Sequence, residues 1–342
     1  MTADLASLID PAATLTKIGS GYQFTEGPVW VPAENCLLFS DIPGDARWRW
    51  TREHGMQLDL FPTFKGNGMA LDNDGHLIVC EQVSSCLVRF VHGKRELIAY
   101  HYGGKYLNSP NDVVTRGSDG SLYFTDPDYG RWNDWIGQER SRDGVGWCAV
   151  FRVPPGGGEL ELVVAEDEFD HPNGLCFSPD EKRLYVNDSG NLTVKVFDVA
   201  ADGSLGPARV IAEGVGLGGA GAGNCDGMEC DELGNIWVTG PGGVWVLTPE
   251  GERIGVVETT EVCGSLCWGA GAEHHTLFLM TSTTAHMIDT IVGPAPLPPF
   301  GRATPGVRPR ALRGRPSSGS DRACTAPRAA RRGTPTACRC AR

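Results

Sequence analysis

The chain has 342 residues, a hydrophobic fraction of 41% and a net charge of −12, which is enough apolar material for one large domain or two ordinary ones. Eleven Arg and one Asp fall between Gly301 and Arg342, so residues 1 to 300 carry −22; an acidic body argues against nucleic acid as a partner and suits a cation site or a neutral substrate. No run of 18 apolar residues is present, so no membrane span is expected, and 46 Gly and 23 Pro scattered between short apolar runs point to an all-β chain with many turns.

The opening MTADLASLIDPAATL lacks the basic head and long apolar stretch of a signal peptide. Nine of the twelve Cys precede the tail, mostly inside apolar runs such as Leu77 to Glu81, and no pair has C-x-x-C spacing. They read as reduced core thiols, and a cytoplasmic location is the expectation.

Six segments then repeat one outline of polar residue, short apolar strand, turn and second apolar strand. In chain order they are EGPVWVPAENCLLFSDI from Glu26, NGMALDNDGHLIVCEQ from Asn67, NDVVTRGSDGSLYFTDP from Asn111, NGLCFSPDEKRLYVNDS from Asn173, DGMECDELGNIWVTGP from Asp226 and a degenerate CGSLCWGAGAEHHTLFLMTS from Cys263. Their turns, such as Asp74-Gly75 and Asp119-Gly120, close tight antiparallel hairpins. Successive starts are 41, 44, 62, 53 and 37 residues apart, close to the roughly 40 to 50 of a four-stranded propeller blade. The prediction is a six-bladed β-propeller over residues 1 to 292. The sixth unit lacks a clear fourth strand, and Ala13 to Gly19 is expected to supply it and close the ring. A two-sheet sandwich also has many short strands but predicts no such repeat. Residues 293 to 342 turn to Pro, Arg, Ala and Gly and read as an appended basic tail, expected to be disordered.

The first strand of a propeller blade faces the central channel, so the residues heading the repeats converge on one mouth of it. These are Glu26, Asn67, Asn111, Asn173 and Asp226, all hard oxygen donors. The implied ion is Ca²⁺ or another hard divalent cation. Asn-Gly and Asp-Gly are also turn formers, but that alternative leaves Glu26 and the fivefold recurrence of polarity unexplained. Gly214 to Gly219 matches G-x-G-x-x-G but leads into no helix, and Asp72 to Gly75 opens like an EF-hand loop but lacks its later acids. Both are expected to be loops. No G-x-S-x-G or H-E-x-x-H occurs, which weakens serine hydrolase and zinc peptidase readings.

Across residues 15 to 290 the chain resembles the family of gluconolactonases, senescence marker protein (regucalcin) and luciferin-regenerating enzyme. The motifs that carry the resemblance are Glu26-Gly-Pro-Val-Trp30, Ser109-Pro-Asn-Asp112 with Tyr123-Phe-Thr-Asp-Pro127, Pro172-Asn-Gly174 with Phe177-Ser-Pro-Asp180, and Asp226-Gly-Met228. The resemblance implies a six-bladed propeller in which Glu26, Asn173 and Asp226 ligate one divalent cation, Asn111 faces substrate or ion, and Asp226 is the acid/base. Ser109 stands where regucalcin-like members carry Arg, which brings the chain nearer to bacterial gluconolactonase-like members.

The expected reaction is hydrolysis of an uncharged sugar lactone such as gluconolactone, with a cation polarising the ring carbonyl, Asp226 taking a proton from water, and the Asn111 and Asn67 amides binding hydroxyls. Ca²⁺ is the first choice of ion, with Zn, Mn, Mg and Fe as alternatives; a small-molecule lactone is the expected partner, with neither nucleic acid nor membrane. The competing functions are a non-catalytic Ca-binding propeller, a metal-dependent phosphotriesterase or arylesterase on the same fold, and a strictosidine-synthase-like enzyme, which would lack the Glu26 and Asp226 carboxylates.

Overall fold

A computed structural model describes residues 4–131, 144–217 and 223–296. Among them, six antiparallel sheets of four strands account for the repeats. Blade 1 is Thr25–Val31, Cys36–Asp41, Ala46–Thr51 and Gly55–Leu60, and blade 2 is Gly66–Leu71, Leu77–Glu81, Cys86–Val91 and Lys94–Ala99. Blade 3 is Val113–Thr115, Leu122–Asp126, Ala149–Val153 and Glu161–Leu162; blade 4 is Pro172–Phe177, Arg183–Asp188, Thr193–Asp198 and Arg209–Glu213. Blade 5 is Met228–Cys230, Ile236–Gly240, Gly243–Leu247 and Arg253–Glu258. Blade 6 takes three strands, Cys263–Trp268, Thr276–Thr281 and Thr284–Asp289, from the end of the chain and its outermost strand, Thr16–Ser20, from the beginning.

That outermost strand pairs antiparallel with Thr284–Asp289, Thr16 facing Met287 and Ser20 facing Thr284. The chain thus closes its own ring, within a few residues of the predicted Ala13 to Gly19, and removes the two sheet edges that an open ring would expose.

What holds the ring is apolar packing between blades. Six hydrophobic clusters lie one between each neighbouring pair, 1–2, 2–3, 3–4, 4–5, 5–6 and 6–1. Strand alternation produces this: in Cys36–Asp41, Leu37 and Phe39 face blade 6 while Cys36 and Leu38 face blade 2, so a strand covered on both sides is apolar at four successive positions before Ser40 and Asp41 end it. At the 6–1 seam, Trp30 stacks on Phe278 with centroids 5.6 Å apart, and Arg52 reaches across to Glu273 with two hydrogen bonds.

The nine described cysteines form no disulfide, and all but Cys148 are buried. The Asp72 to Gly75 turn is a hairpin turn, its Asp72 Oδ1 accepting from the backbone N–H of Asp74 and His76. No helix among the described residues is long and apolar enough to cross a membrane. Residues 293 to 296, grouped with the tail by composition, are attached to blade 5: the Ala295 N–H donates to the Cys230 carbonyl at 2.8 Å and the Gly293 N–H to Glu232 Oε1 at 3.1 Å. The remainder of the predicted tail, 297 to 342, lies outside the described residues.

Candidate active site

The innermost strands place the repeat heads. Glu26, Asn67 and Asn173 lie within Thr25–Val31, Gly66–Leu71 and Pro172–Phe177, while Asn111 and Asp226 stand two residues before Val113–Thr115 and Met228–Cys230. Neighbouring heads are joined by backbone hydrogen bonds around the tunnel: the Gly68 N–H donates to the Asn111 carbonyl at 2.8 Å, Gly174 to Asp226 at 3.1 Å, and Gly227 to Gly264 at 2.8 Å. This approach is too close for a side chain. A Cβ on Gly174 would sit 2.1 Å from the Asp226 carbonyl oxygen, which is why Gly follows the head there.

The second strands lock the same ring. Ser40 Oγ donates to the Asn67 carbonyl at 2.8 Å, Thr125 Oγ1 to that of Asn173 at 2.7 Å, and Asn187 Nδ2 to that of Asp226 at 2.5 Å. With carbonyls and amides spent on each other, the head side chains are left to face the tunnel.

Three of them meet. Asp226 lies within hydrogen-bonding reach of both Glu26 and Asn173, and Asn173 Nδ2 also donates to Ser189 Oγ at 3.0 Å. Glu26 Oε2 accepts from the Gly27 N–H at 2.9 Å, but Glu26 Oε1 is buried with no hydrogen-bond partner. Burial first, and then the adjacent Asp226, hold the Glu26 carboxyl well above the ordinary carboxylate range. Burial likewise pushes Asp226 up to about 7, against the pull of its hydrogen bonds with Glu26 and Asn173. Two carboxylates pressed together with an orphaned oxygen are poorly solvated as a pair of anions. Their donor set, two carboxylates and an amide, fits a hard divalent cation.

Asn67 and Asn111 are also buried at this ring, 3% and 6% exposed. Their side chains make no hydrogen bond to another described residue, which leaves both amides available to a ligand. The sixth repeat contributes Gly264, whose missing Cβ leaves room for Glu26: a Cβ there would meet Glu26 Oε1 at 2.5 Å.

Composition of the heads did not disclose two further acids. Asp112 occupies the position that is Gly in the other five repeats, and its carboxyl is raised to about 7 by burial, opposed by the N–H groups of Val113 and Leu175, with Asp226 adding to the rise. Glu229, three residues after the Asp226 head, stands where the other repeats have apolar residues, and burial and then Asp112 raise it to about 8. Both line a cavity of about 170 Å³ that continues the tunnel past the heads among Met69, Leu175, Met228 and Ser265. The signal for each was a departure from its repeat position.

The rim was also missed. The second strand of blade 3 runs on into a single helical turn, Tyr129–Arg131, pinned by Ser109: its Oγ donates to the Pro127 carbonyl at 2.6 Å and accepts from the Gly130 N–H at 2.9 Å. Ser109 therefore shapes the rim. The Tyr129 hydroxyl hydrogen-bonds Ser189, close enough to Asp226 to feel its charge. The Tyr129 ring stacks on His171, with centroids 5.1 Å apart. His171 is raised to about 9, chiefly by its hydrogen bond to Asp128 and further by Asp170, while burial opposes the rise.

Residues 24–284 match the model of the SMP-30/Gluconolactonase/LRE-like region. The chain belongs to the SMP-30/gluconolactonase/LRE-like family. Among relatives of that family, the gluconolactonase of Zymomonas mobilis is 32% identical over 303 residues, 81% of this chain and 82% of the relative. The solved structure of XC5397 from Xanthomonas campestris, described as a gluconolactonase, superposes with a TM-score of 0.75 at 30% identity, covering 84% of this chain and 92% of that one. A calcium-binding regucalcin from Agrobacterium tumefaciens shares the fold, with a TM-score of 0.67 and 18% identity over 84% of this chain and 97% of that one.

Proposed function

We propose that the protein hydrolyses an aldonolactone such as gluconolactone in a reaction that depends on a divalent cation held by Glu26, Asn173 and Asp226. The chain is a lactonase by family. The observation that carries the finer reading is the convergence of those three side chains around a buried, unpartnered Glu26 oxygen. When bound, a cation there supplies electrophilic polarisation of the lactone carbonyl and charge neutralisation for the oxygen as water adds.

The chain's own groups do the rest. Asp226, fixed between Glu26 and Asn173, takes the proton of the attacking water, and Ser189 keeps the Asn173 amide turned toward it. The Asn111 and Asn67 amides donate to ring hydroxyls without adding charge, which suits a polyhydroxylated neutral substrate. Tyr129 walls the mouth beside Asp226 and limits the water that reaches it. Ca²⁺ remains the first choice of ion from the all-oxygen donors.

The test is pH-stat hydrolysis of glucono-1,5-lactone, a galactonolactone and a xylonolactone by chelator-stripped protein, with Ca²⁺, Mn²⁺, Zn²⁺ or Fe²⁺ added back. Turnover that returns with one ion supports the reading and names the ion. Turnover unaffected by chelation would remove the cation from it, and turnover no faster than the spontaneous rate with any pair would leave a binding propeller.

A further inference from the structure

Beside the mouth, but separate from the ring of heads, Asp128, Cys148 and His171 bring a carboxylate oxygen, a thiol sulfur and an imidazole nitrogen within 4.8 Å of one another. We propose that these three side chains form a second metal site, selective for zinc or a similar thiophilic dication and distinct from the all-oxygen site in the tunnel. Cys148 is set apart from the other described cysteines: it alone is not buried, and it alone among them stands in such a cluster. A thiol kept merely for core packing has no need of either.

Three different segments supply the ligands: the turn after the second strand of blade 3, the residue before Ala149–Val153, and the loop entering blade 4. His171 Nε2 already points at Asp128 Oδ1, 3.1 Å away. On its other edge Nδ1 meets Asp170 Oδ2, also at 3.1 Å. A carboxylate on one imidazole nitrogen with ligands gathered at the other is the arrangement that fixes the tautomer and raises the basicity of a metal-bound histidine.

Charge and softness agree. One thiolate and one carboxylate neutralise a dication, with neutral imidazole as the third ligand, and an S/N/O set favours zinc where Glu26, Asn173 and Asp226 favour a hard ion. Binding displaces two protons to solvent, one from the thiol and one from Nε2, and involves no redox change. With three protein ligands, a tetrahedral ion retains one open position. The ion would tie blade 3 to blade 4 and brace Tyr129, which adjoins Asp128 in sequence and stacks on His171.

Co²⁺ is the probe. Titrated into the chelator-stripped full-length chain, it should give the near-ultraviolet thiolate-to-cobalt band at one equivalent, displaced by Zn²⁺ but not by millimolar Ca²⁺. The band should vanish in Cys148→Ser and in His171→Gln, and Asp170→Asn should weaken zinc binding by roughly 10–100-fold. Thermal melts show whether Cys148→Ser still folds; if it does not, His171→Gln keeps every thiol and tests the same ligand set. Absence of the band from the wild-type chain would overturn the proposal. So would a band that survives in the folded Cys148→Ser or His171→Gln chain, since the thiols of Cys324, Cys338 and Cys340 would then be its source.

Discussion

Asp188 and Asp226 belong to adjacent blades, and both are acids at fixed positions of the repeat, yet their surroundings pull their carboxyls in opposite directions. Asp188 ends the second strand of blade 4 and accepts from the backbone N–H groups of Asp170, His171, Gly190 and Asn191 at 3.0 to 3.1 Å, and from Asn191 Nδ2 at 2.8 Å. Burial pushes it upward, but these donors prevail and hold it below its ordinary range. Asp226 is buried with no backbone N–H among its partners, only the side chains of Glu26 and Asn173, and burial raises it to about 7 against their pull. The fold thus treats one acid as a structural clamp, already satisfied, and keeps the other unsatisfied. A buried acid whose donors come from its own chain holds the structure together, whereas one facing its own kind awaits a ligand.

Substitution separates the two most sharply. Asp226→Asn is expected to lower kcat by about 10³-fold with a melting temperature equal to or above the parent's, because it relieves carboxylate repulsion while removing the base. Asp188→Ala leaves four N–H groups without an acceptor and should cost on the order of 3 kcal/mol of stability in a denaturant titration. An Asp188→Ala chain as stable as its parent would undo the contrast from the structural side.

Gly174→Ala tests the ring that positions Asp226. Its Cβ would lie 2.1 Å from the Asp226 carbonyl, so a loss of about 2 kcal/mol and a fall in kcat are expected together, read by thermal melts and initial rates. A parental rate would show that the innermost strands can shift without moving the site.

The pH dependence of the cation-free chain follows from the raised groups. Glu229, held at about 8, binds its proton more tightly folded than unfolded, so its contribution to stability is lost as pH rises from near 4.5 through 8. His171, held at about 9, acts in the same direction, favouring the fold below its ordinary 6.5 and losing that contribution through 9. Melts in chelator should therefore rise as pH falls from 8.5 to 5.5, and Glu229→Gln should flatten the slope by about 1–2 kcal/mol across that range. An unchanged slope would show that water in the tunnel already solvates the ionised Glu229. The smallest effect is expected at Asn111→Ala, where the loss of one neutral hydrogen bond should raise KM by about tenfold while leaving kcat within a few-fold.

Much of this was legible in the sequence because a propeller repeats. Repeats starting at intervals of 37 to 62 residues indicated blade number and closure, and the polar heads of five of them the ring of Glu26, Asn67, Asn111, Asn173 and Asp226. The acids Asp41, Asp126 and Asp188 that end the second strands recur as plainly, in FSD, FTD and VND, but nothing in the chain distinguishes a satisfied carboxylate from an unsatisfied one. That difference resides in the loops that precede each blade: the Gln23 and Phe24 N–H groups donate to Asp41, whereas at Asp126 burial outweighs the N–H groups of Asn108 and Ser109 and raises the carboxyl to about 7. Asp112 and Glu229 were visible only as exceptions to their repeat positions. The meeting of Asp128, Cys148 and His171 was not visible at all, since three residues 20 and 23 positions apart in the chain come together only in the folded protein.

If Glu26 and Asp226 hold one cation and hydrolysis requires it, binding and turnover must fail together. The decisive experiment is calorimetric titration of the activating ion into chelator-stripped wild type and Glu26→Gln, with lactone turnover measured on the same samples. One high-affinity site is expected in the wild type, lost or weakened by at least 100-fold in Glu26→Gln, with turnover falling in step. Undiminished affinity in the variant, or full turnover in a Glu26→Gln chain that no longer binds the ion, would refute the shared-cation mechanism.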